Sequence, residues 1–378
     1  MNEQSHVPDH CSVFALSDES DADFRKQCDH THDEVCGQCH ALTVVLKDIE
    51  DAVRAATFDL SEDLEESLYL CQSAVTAIEA WKSHQMRTVR QDQARIDIFE
   101  LLNEKSILIV SDWAMKFLPQ MYRESQQNWY GKRGISWHIS VVFRRINDVL
   151  QSQAFVHVIQ SCAQDSQSVV LMMQHMLQTL KTEHPEIVQA FFRQDNAGCY
   201  HCSNTVAALA YMEKEAGIKV ARVDFSDLQG GKGAADRLAA TCKCHIRIYI
   251  NEGHNVSTAE EMKEALLSHG GISGVRVAIV QSFDDSSVVE QQKIPGITKL
   301  NNFTFTKDGL LAHRSYSIGK GKCIILQDKS GKLSIIHDLC FAKKSSPCSR
   351  KKGPEFHSFI LKLCLQKQTK TKHIDGKA

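Results

Sequence analysis

Long apolar runs are missing from this chain. None of its 378 positions begins a stretch of about 18 consecutive apolar residues, which excludes an ordinary membrane-spanning helix. The first residues, MNEQSHVPDHC, also lack the apolar core of a secretory signal. We therefore expect a nuclear or cytoplasmic protein, with the nucleus favoured, and no membrane partner.

A strong net charge is missing as well. The formal charge is −2, with 43% hydrophobic and 24% charged residues. This composition is that of an ordinary globular protein and argues neither for nor against nucleic acid. The distribution of charge is uneven: the first 40 residues are rich in Asp, Glu and His, and the C-terminal part carries the basic tracts KKSSPCSRKK and KQTKTK. Such tracts are solvated tails or nucleic-acid and nuclear-import patches.

Cysteine, by contrast, is abundant. In a reducing compartment the fourteen cysteines are thiols or metal ligands rather than disulfides. Residues 1–40 contain the stretch CDHTHDEVCGQC, whose Cys-x-x-Cys spacing is that of a zinc knuckle. We predict a structural Zn²⁺ site in this segment, with His30 or His32 as alternates to one of the sulfurs of Cys11, Cys28, Cys36 and Cys39. The competing interpretation is an unstructured acidic arm.

The middle of the chain changes periodicity. Residues 41–104 have helical spacing and contain no Gly or Pro from residue 61 onward. Residues 105–255 then alternate short apolar strands with helices, which indicates an α/β layer fold. Residues 256–345 read as an α+β extension, and residues 346–378 as a basic, weakly ordered tail.

Three acids stand at positions where they could converge. Asp112 follows the apolar run SILIV, Asp195 follows IVQAFF, and Asp236 begins a helix after a glycine-rich turn. Carboxylates at neighbouring strand ends meet at one sheet edge, where they repel one another unless a hard cation such as Mg²⁺ or Mn²⁺ binds. Two such ions about 4 Å apart promote phosphodiester chemistry. The plainer interpretation of each acid is a turn former or a helix N-cap.

The order of these features resembles the RNase H-like core of cut-and-paste transposases and retroviral integrases. The stretch QGGKGAADR is similar to the Q-x-x-G-x-x-E-R pattern of that family, with Gln229, Gly231, Asp236 and Arg237 in comparable positions. The stretches SDWAMKFLPQMYRESQQNWYGKRGISWHI and RQDNAGCYHC resemble transposon-derived animal proteins. The likeness covers roughly residues 105–255.

The resemblance implies a function. An RNase H-like mixed sheet flanked by helices would use Asp112, Asp195 and Asp236 as catalytic ligands of two Mg²⁺ or Mn²⁺ ions, with water as the nucleophile of phosphodiester hydrolysis or strand transfer. The third acid is Asp where the family more often has Glu, so Glu252 and Asp227 are substitute ligands. The alternative is a domesticated, catalytically silent relative that binds DNA or protein.

DNA is the partner that the resemblance implies, and self-association of the chain is left open. Cations interleaved with Trp129 and Tyr130 suit contact with a nucleic-acid backbone and stacking on bases. These DNA-contact candidates are Lys116, Arg123, Lys132 and Arg133. A further set on a helix, Arg87, Arg90 and Arg95, is expected to form an exposed face paired with nearby acids.

Overall fold

The computed structural model describes residues 3–226, 233–280 and 293–326. These residues form two compact units. The N-terminal unit consists of Met1–Ile96, Lys299–Asn302 and Leu311–Cys323, and the sheet unit comprises the rest of the described chain. The basic tracts and the glycine-rich turn with Asp227, Gln229 and Gly231 lie outside the described residues.

The N-terminal unit is built mainly from helices. A short 3-10 helix, Pro8–His10, leads into α1 (Ser12–Leu16), and two longer helices follow, α2 (Gly37–Ala55) and α3 (Ser61–Leu101). One of its apolar clusters consists of Cys11, Val13 and Ile318, with Leu16 and Cys28 packed against it. A cluster of this size stabilises a segment only weakly.

A later segment, Leu311–Cys323, is tied into this unit by ion pairs and a close backbone approach. The Arg314 guanidinium contacts the carboxylates of Asp18 at 2.5 Å and Asp21 at 3.1 Å, and it lies 4.2 Å from the centre of the Phe24 ring. Gly319 has a φ of +76° and lies directly against the backbone of residues 23 and 24.

Gly319→Ala is therefore expected to destabilise the protein by at least about 2 kcal/mol, because it adds a clash to the cost of a positive φ. A Cβ at this position would lie 2.6 Å from the Phe24 Cα. Gly296→Ala is the matched control, since Gly296 has a φ of +72° but open space around it. Urea unfolding of both variants checks this; equal losses of stability would contradict it.

The described chain contains a mixed sheet flanked by helices, which confirms the α/β class. The nine strands have the order β6-β3-β2-β1-β4-β5-β7-β8-β9. Strand β2 is antiparallel to β1 and β3, whereas β4 is parallel to β1 and to β5, and β6 is parallel to β3. The strands are β1 (Ser106–Phe117), β2 (Ile135–Ile146), β3 (Val149–Ile159), β4 (Gln189–Asp195), β5 (Lys219–Ser226), β6 (Val275–Val280), β7 (Asn302–Thr306), β8 (Gly309–His313) and β9 (Lys322–Ile324).

Helices lie on both faces of this sheet. They are α4 (Ser166–Glu183), α5 (Ser203–Leu209), α6 (Met212–Ala216), α7 (Ala234–Asn251) and α8 (Ala259–Leu267). Leu108 and Ala114 of β1 belong to the core cluster that α7 and α8 complete. Trp113, one residue away, packs with Met172 of α4. Because side chains alternate along a strand, Asp112 points to the α7 face.

The position of Asp112 corrects the prediction made for it. The strand does not end at this residue but continues to Phe117. Ala114 and Phe117 are buried in the same core cluster as Leu108, so the apolar pattern holds the chain in the sheet past the acid. Asp112 therefore lies within a strand, paired with Ile139 of β2. Asp195, as predicted, is the last residue of its strand.

Candidate active site and metal-binding groups

Asp112 and Asp195 lie level with each other on adjacent parallel strands. The register between β1 and β4 runs from Ser106↔Gln189 to Val110↔Arg193 without a shift. Carried two residues further, the same offset places Asp112 beside Asp195. Neighbouring strands are separated by about 4.8 Å, and aligned parallel residues point to the same face. The two carboxylates therefore share one face at one end of the strand pair.

Asp236 is brought to this face by α7. It lies in the first turn of that helix. The following residues Leu238 and Cys242 are buried in the same cluster as Leu108 of β1 and Phe191 of β4. Phe191 is on the same side of β4 as Asp195, because the two residues are separated by an even number of positions. The structure thus gathers Asp112, Asp195 and Asp236, hereafter the acid trio, on the α7 face.

The electrostatics of the acid trio reflect this proximity. Burial and, to a smaller extent, the charges of Asp195 and Asp236 together raise the pKa of Asp112 to about 7. Burial also raises the pKa of Asp195, with a further contribution from Asp236 and an opposing one from the Ala197 backbone N–H. Like-charged carboxylates in a half-buried setting favour proton uptake, and a divalent cation would offset the same repulsion.

Local hydrogen bonds orient two of the three carboxylates. The backbone N–H of Ala197 donates to Asp195 Oδ1 at 3.0 Å, which forms the turn after β4. The backbone N–H of Gly233 donates to Asp236 Oδ2 at 3.0 Å, so that Asp236 also caps its own helix. The structural roles weighed from sequence are therefore present, and they coexist with the shared position of the three acids.

The acid trio is more open than a compact ligand set. Within the described chain, the groups whose metal-ligating atoms all lie within 4.8 Å of one another are two Cys/His groups, and the acid trio is not among them. At least one pair of ligand atoms in the acid trio is therefore more than 4.8 Å apart.

Glu252, a substitute third ligand, does not join the trio. It lies at the C-terminal end of α7, about 24 Å from Asp236 along the helix axis at 1.5 Å per residue. Its carboxylate pairs with the His269 ring at 3.0 Å. Asp227 is outside the described residues.

A buried charge network adjoins Asp195, and sequence reasoning missed it. Asp224 is fully buried on β5, and its carboxylate accepts hydrogen bonds from the Arg222 guanidinium at 3.0 Å. The register pairs Asp224 with Arg193, two residues before Asp195 on the same face of β4. In the sequence, the only sign of this charge network is the spacing of Arg222 and Asp224, two positions apart in the apolar stretch VARVDFS.

Buried histidines on the opposite face were also missed. His138 and His157 are cross-strand partners on β2 and β3 and are fully buried. Burial lowers the pKa of His138 to about 3 and that of His157 well below its usual value. The His157 Nε2 lies 3.0 Å from the His175 Nδ1 on α4. The lowered pKa values favour the uncharged forms of His138 and His157, and the His138 ring packs against Trp113 of β1.

The cysteines and histidines of the N-terminal unit form two groups rather than one. The first contains Cys11, Cys28, His30 and His32, and the second contains His10, Cys36 and Cys39. In each group the ligand atoms all lie within 4.8 Å of one another, so each could hold a metal ion.

The predicted four-sulfur set is therefore not what the structure brings together. Cys36 and Cys39 lie with His10, which the sequence analysis did not consider, and both His30 and His32 join Cys11 and Cys28. Sequence spacing alone did not distinguish the two cysteine pairs.

The predicted DNA-contact residues differ in exposure. Lys116, Arg123 and Arg133 are exposed. Lys132 is instead engaged: its ammonium pairs with Glu124 and donates to the Pro119 carbonyl at 2.7 Å. Trp129 and Tyr130 are 59% and 75% exposed. Among the helical arginines, Arg90 is buried and pairs with Glu3, contrary to the exposed face expected for it.

Fold and site together define a mixed α/β protein with an acidic cluster on one sheet face and a Cys/His-rich N-terminal unit. The chain belongs to the family described as a domain of unknown function, DUF8701, whose model matches residues 91–317. A comparison with curated proteins gives no match. None of the described helices has the length and apolar character needed to cross a membrane.

Among solved structures, the chain is similar to the human cytomegalovirus terminase nuclease domain, determined Mn-soaked and with an inhibitor bound. The identity is 10% and the TM-score 0.21, over 40% of this chain and 63% of that one. The chain thus spans less than two thirds of that domain.

Proposed function

We propose that the sheet unit is an RNase H-like nuclease or strand transferase that cuts DNA phosphodiester bonds with Mg²⁺ or Mn²⁺ held by the acid trio. The observation that carries the proposal is the register of β1 and β4, whose offset, extended two residues beyond the pair Val110 and Arg193, aligns Asp112 with Asp195. Asp236 on α7 completes the set from the same face.

The topology supports this proposal. The order β3-β2-β1-β4-β5, with β2 alone antiparallel to its neighbours, is similar to that of the RNase H-like fold. The first acid lies on the central strand, the second on the neighbouring parallel strand, and the third on a later helix. The resemblance to transposases and integrases implies the same order of metal-ligating acids along the chain.

The chain's own residues would prepare the site for metal. When bound, Mg²⁺ or Mn²⁺ supplies a Lewis acid that activates water and stabilises charge on the leaving oxygen. Asp112 must give up its proton before it can act as a ligand, and its pKa of about 7 makes that step sensitive to pH. Activity is therefore expected to rise from pH 6 to pH 8.

Exposed side chains at the end of β1, the strand that carries Asp112, and in the connection that follows it suit a DNA substrate. Lys116 near the end of β1 and Arg123 and Arg133 in the β1–β2 connection are exposed cations, and Trp129 and Tyr130 are exposed aromatics between them. Cations of this kind bind phosphates and aromatics stack on bases. Lys132 is omitted from this set because it pairs with Glu124.

A second candidate function is a DNA- or protein-binding module that retains the fold without catalysis. It is favoured by the helix-capping bond of Asp236 and by the wider spacing of the acid trio compared with the Cys/His groups. Both features are compatible with acids that serve structure alone.

Nicking of supercoiled plasmid tests the proposal. Wild-type protein is expected to convert plasmid to nicked and linear forms with Mg²⁺ or Mn²⁺ and not with EDTA. Asp195→Asn is expected to reduce the rate at least about 100-fold, because loss of a metal ligand removes several kcal/mol of transition-state stabilisation. Asp148→Asn is the matched control, since Asp148 is exposed in the β2–β3 turn.

The outcomes separate the two candidates. Equal nicking by wild type and Asp195→Asn would show that the activity does not come from the acid trio. Absence of nicking together with retained DNA binding in a gel-shift assay would favour the binding module.

A further inference from the structure

We propose that the N-terminal unit binds two zinc ions in separate, neighbouring sites. Cys11, Cys28, His30 and His32 form a closed four-ligand site, hereafter the closed site. His10, Cys36 and Cys39 form a three-ligand site whose fourth position is open to solvent, hereafter the open site. This assignment is independent of the acid trio.

The closed site has the ligand set of a structural zinc centre. Four donors, two sulfurs and two imidazole nitrogens, all lie within 4.8 Å of one another. The Cys11 and Cys28 sulfurs are 3.6 Å apart, and the His30 and His32 rings have centroids 4.7 Å apart. Sulfurs about 2.3 Å and nitrogens about 2.0 Å from a shared tetrahedral ion are separated by distances of this order.

The open site uses the Cys-x-x-Cys pair at the beginning of α2. Cys36 is the N-cap residue of α2, and Cys39 lies in its first turn. The His10 Nε2 lies 3.2 Å from the Cys39 sulfur. A helix N-terminus stabilises negative charge and therefore thiolates. Within the described residues this group has three ligands, the number that zinc sites with an exchangeable fourth position use.

The backbone explains why the two sites remain separate. His10 and Cys11 are consecutive in sequence but belong to different groups. Cys11 has the extended dihedral angles φ −83° and ψ 112° directly after the short 3-10 helix. In extended backbone, consecutive side chains point to opposite sides. His10 and Cys11 thus face different ions, and Cys36 and Cys39 lie with His10 rather than with Cys11.

The two zinc ions would stabilise the fold of residues 3–40. The apolar core beside the closed site contains three buried residues, Cys11, Val13 and Ile318, and most of residues 3–40 are polar. Structural zinc contributes directly to folding in segments that lack a sufficient core. The closed site would fix α1 to the stretch around residue 30, and the open site would fix the 3-10 helix to α2.

Zinc content of the full-length protein tests the proposal. The protein is purified from zinc-supplemented cells, and metal is measured by mass spectrometry against protein concentration. Wild type is expected to contain two zinc ions per chain. Cys36→Ser/Cys39→Ser is expected to contain one, and Cys28→Ser/His32→Ala also one. Cys71→Ser, a cysteine outside both groups, and Asp195→Asn are expected to keep two.

Two further results would overturn the assignment. One ion in wild type that is lost in both double variants would mean a single shared site, and two ions in either double variant would mean that the altered residues are not ligands. Should Cys28→Ser/His32→Ala fail to fold, cobalt substitution remains decisive. Absorption of Co²⁺-loaded wild type must then show two components, and Cys36→Ser/Cys39→Ser must retain only one.

Discussion

Asp112→Asn is expected to raise the stability of the metal-free protein at pH 8 while removing metal-dependent cleavage. The folded-state pKa of Asp112 is raised to about 7 from an ordinary value of 3.8. Its contribution to stability is therefore present below pH 3.8 and is lost as pH rises through 7. The uncharged amide avoids this loss, which we place on the order of 2 kcal/mol after allowing for partial exposure.

Thermal unfolding in the presence of chelator measures this gain. A gain of that size corresponds to roughly 4–8 °C in Tm for a domain of this length. It should shrink towards zero at pH 4, where the wild-type carboxyl is protonated in the folded state. Asp148→Asn should leave Tm unchanged at both pH values, because Asp148 is exposed in a turn and Asn tolerates its positive φ of 60°. A variant less stable than wild type at pH 8 would contradict the electrostatic interpretation.

Asp224→Asn is expected to destabilise the protein by about 3–5 kcal/mol, the typical cost of removing one partner from a buried ion pair. Asp224 is fully buried, and the Arg222 guanidinium contacts its carboxylate at 3.0 Å. Arg193 lies opposite on the neighbouring strand. The substitution leaves buried positive charge without its compensating carboxylate.

The double variant Asp224→Asn/Arg222→Met is the control. Removing the second charge should recover part of the lost stability, because a buried pair can be replaced by apolar contacts at small cost. Urea unfolding of wild type and of the single and double variants provides the comparison. A loss below about 1 kcal/mol for Asp224→Asn would show that the carboxylate is not required for the packing of β4 and β5.

Local sequence patterns predicted much of the fold. The apolar runs around residues 106, 135 and 189 became strands, and Gly217 closes its helix in the left-handed conformation with φ +70°, as its position after AYMEKEA predicts. The strand-end position of Asp195 and the helix-start position of Asp236 were visible in the sequence in the same way.

Contacts between distant segments were not accessible to that reasoning. Asp112 follows an apolar run, but whether the strand continues depends on Phe117 reaching the core beneath α7. The division of the cysteines depends on the turn between His10 and Cys11, which no spacing rule encodes. The burial of Asp224 follows from its position on β5 within a wider sheet.

Manganese binding by the zinc-loaded protein, followed by the electron paramagnetic resonance of free Mn²⁺, tests most directly whether the acid trio is a metal site. Wild type and Asp148→Asn are expected to bind Mn²⁺ at pH 8, with Mg²⁺ competing. Binding should weaken at pH 6, where a proton occupies Asp112. The Asp195→Asn variant should not bind Mn²⁺ at pH 8. Equal Mn²⁺ binding by wild type and Asp195→Asn would contradict the account.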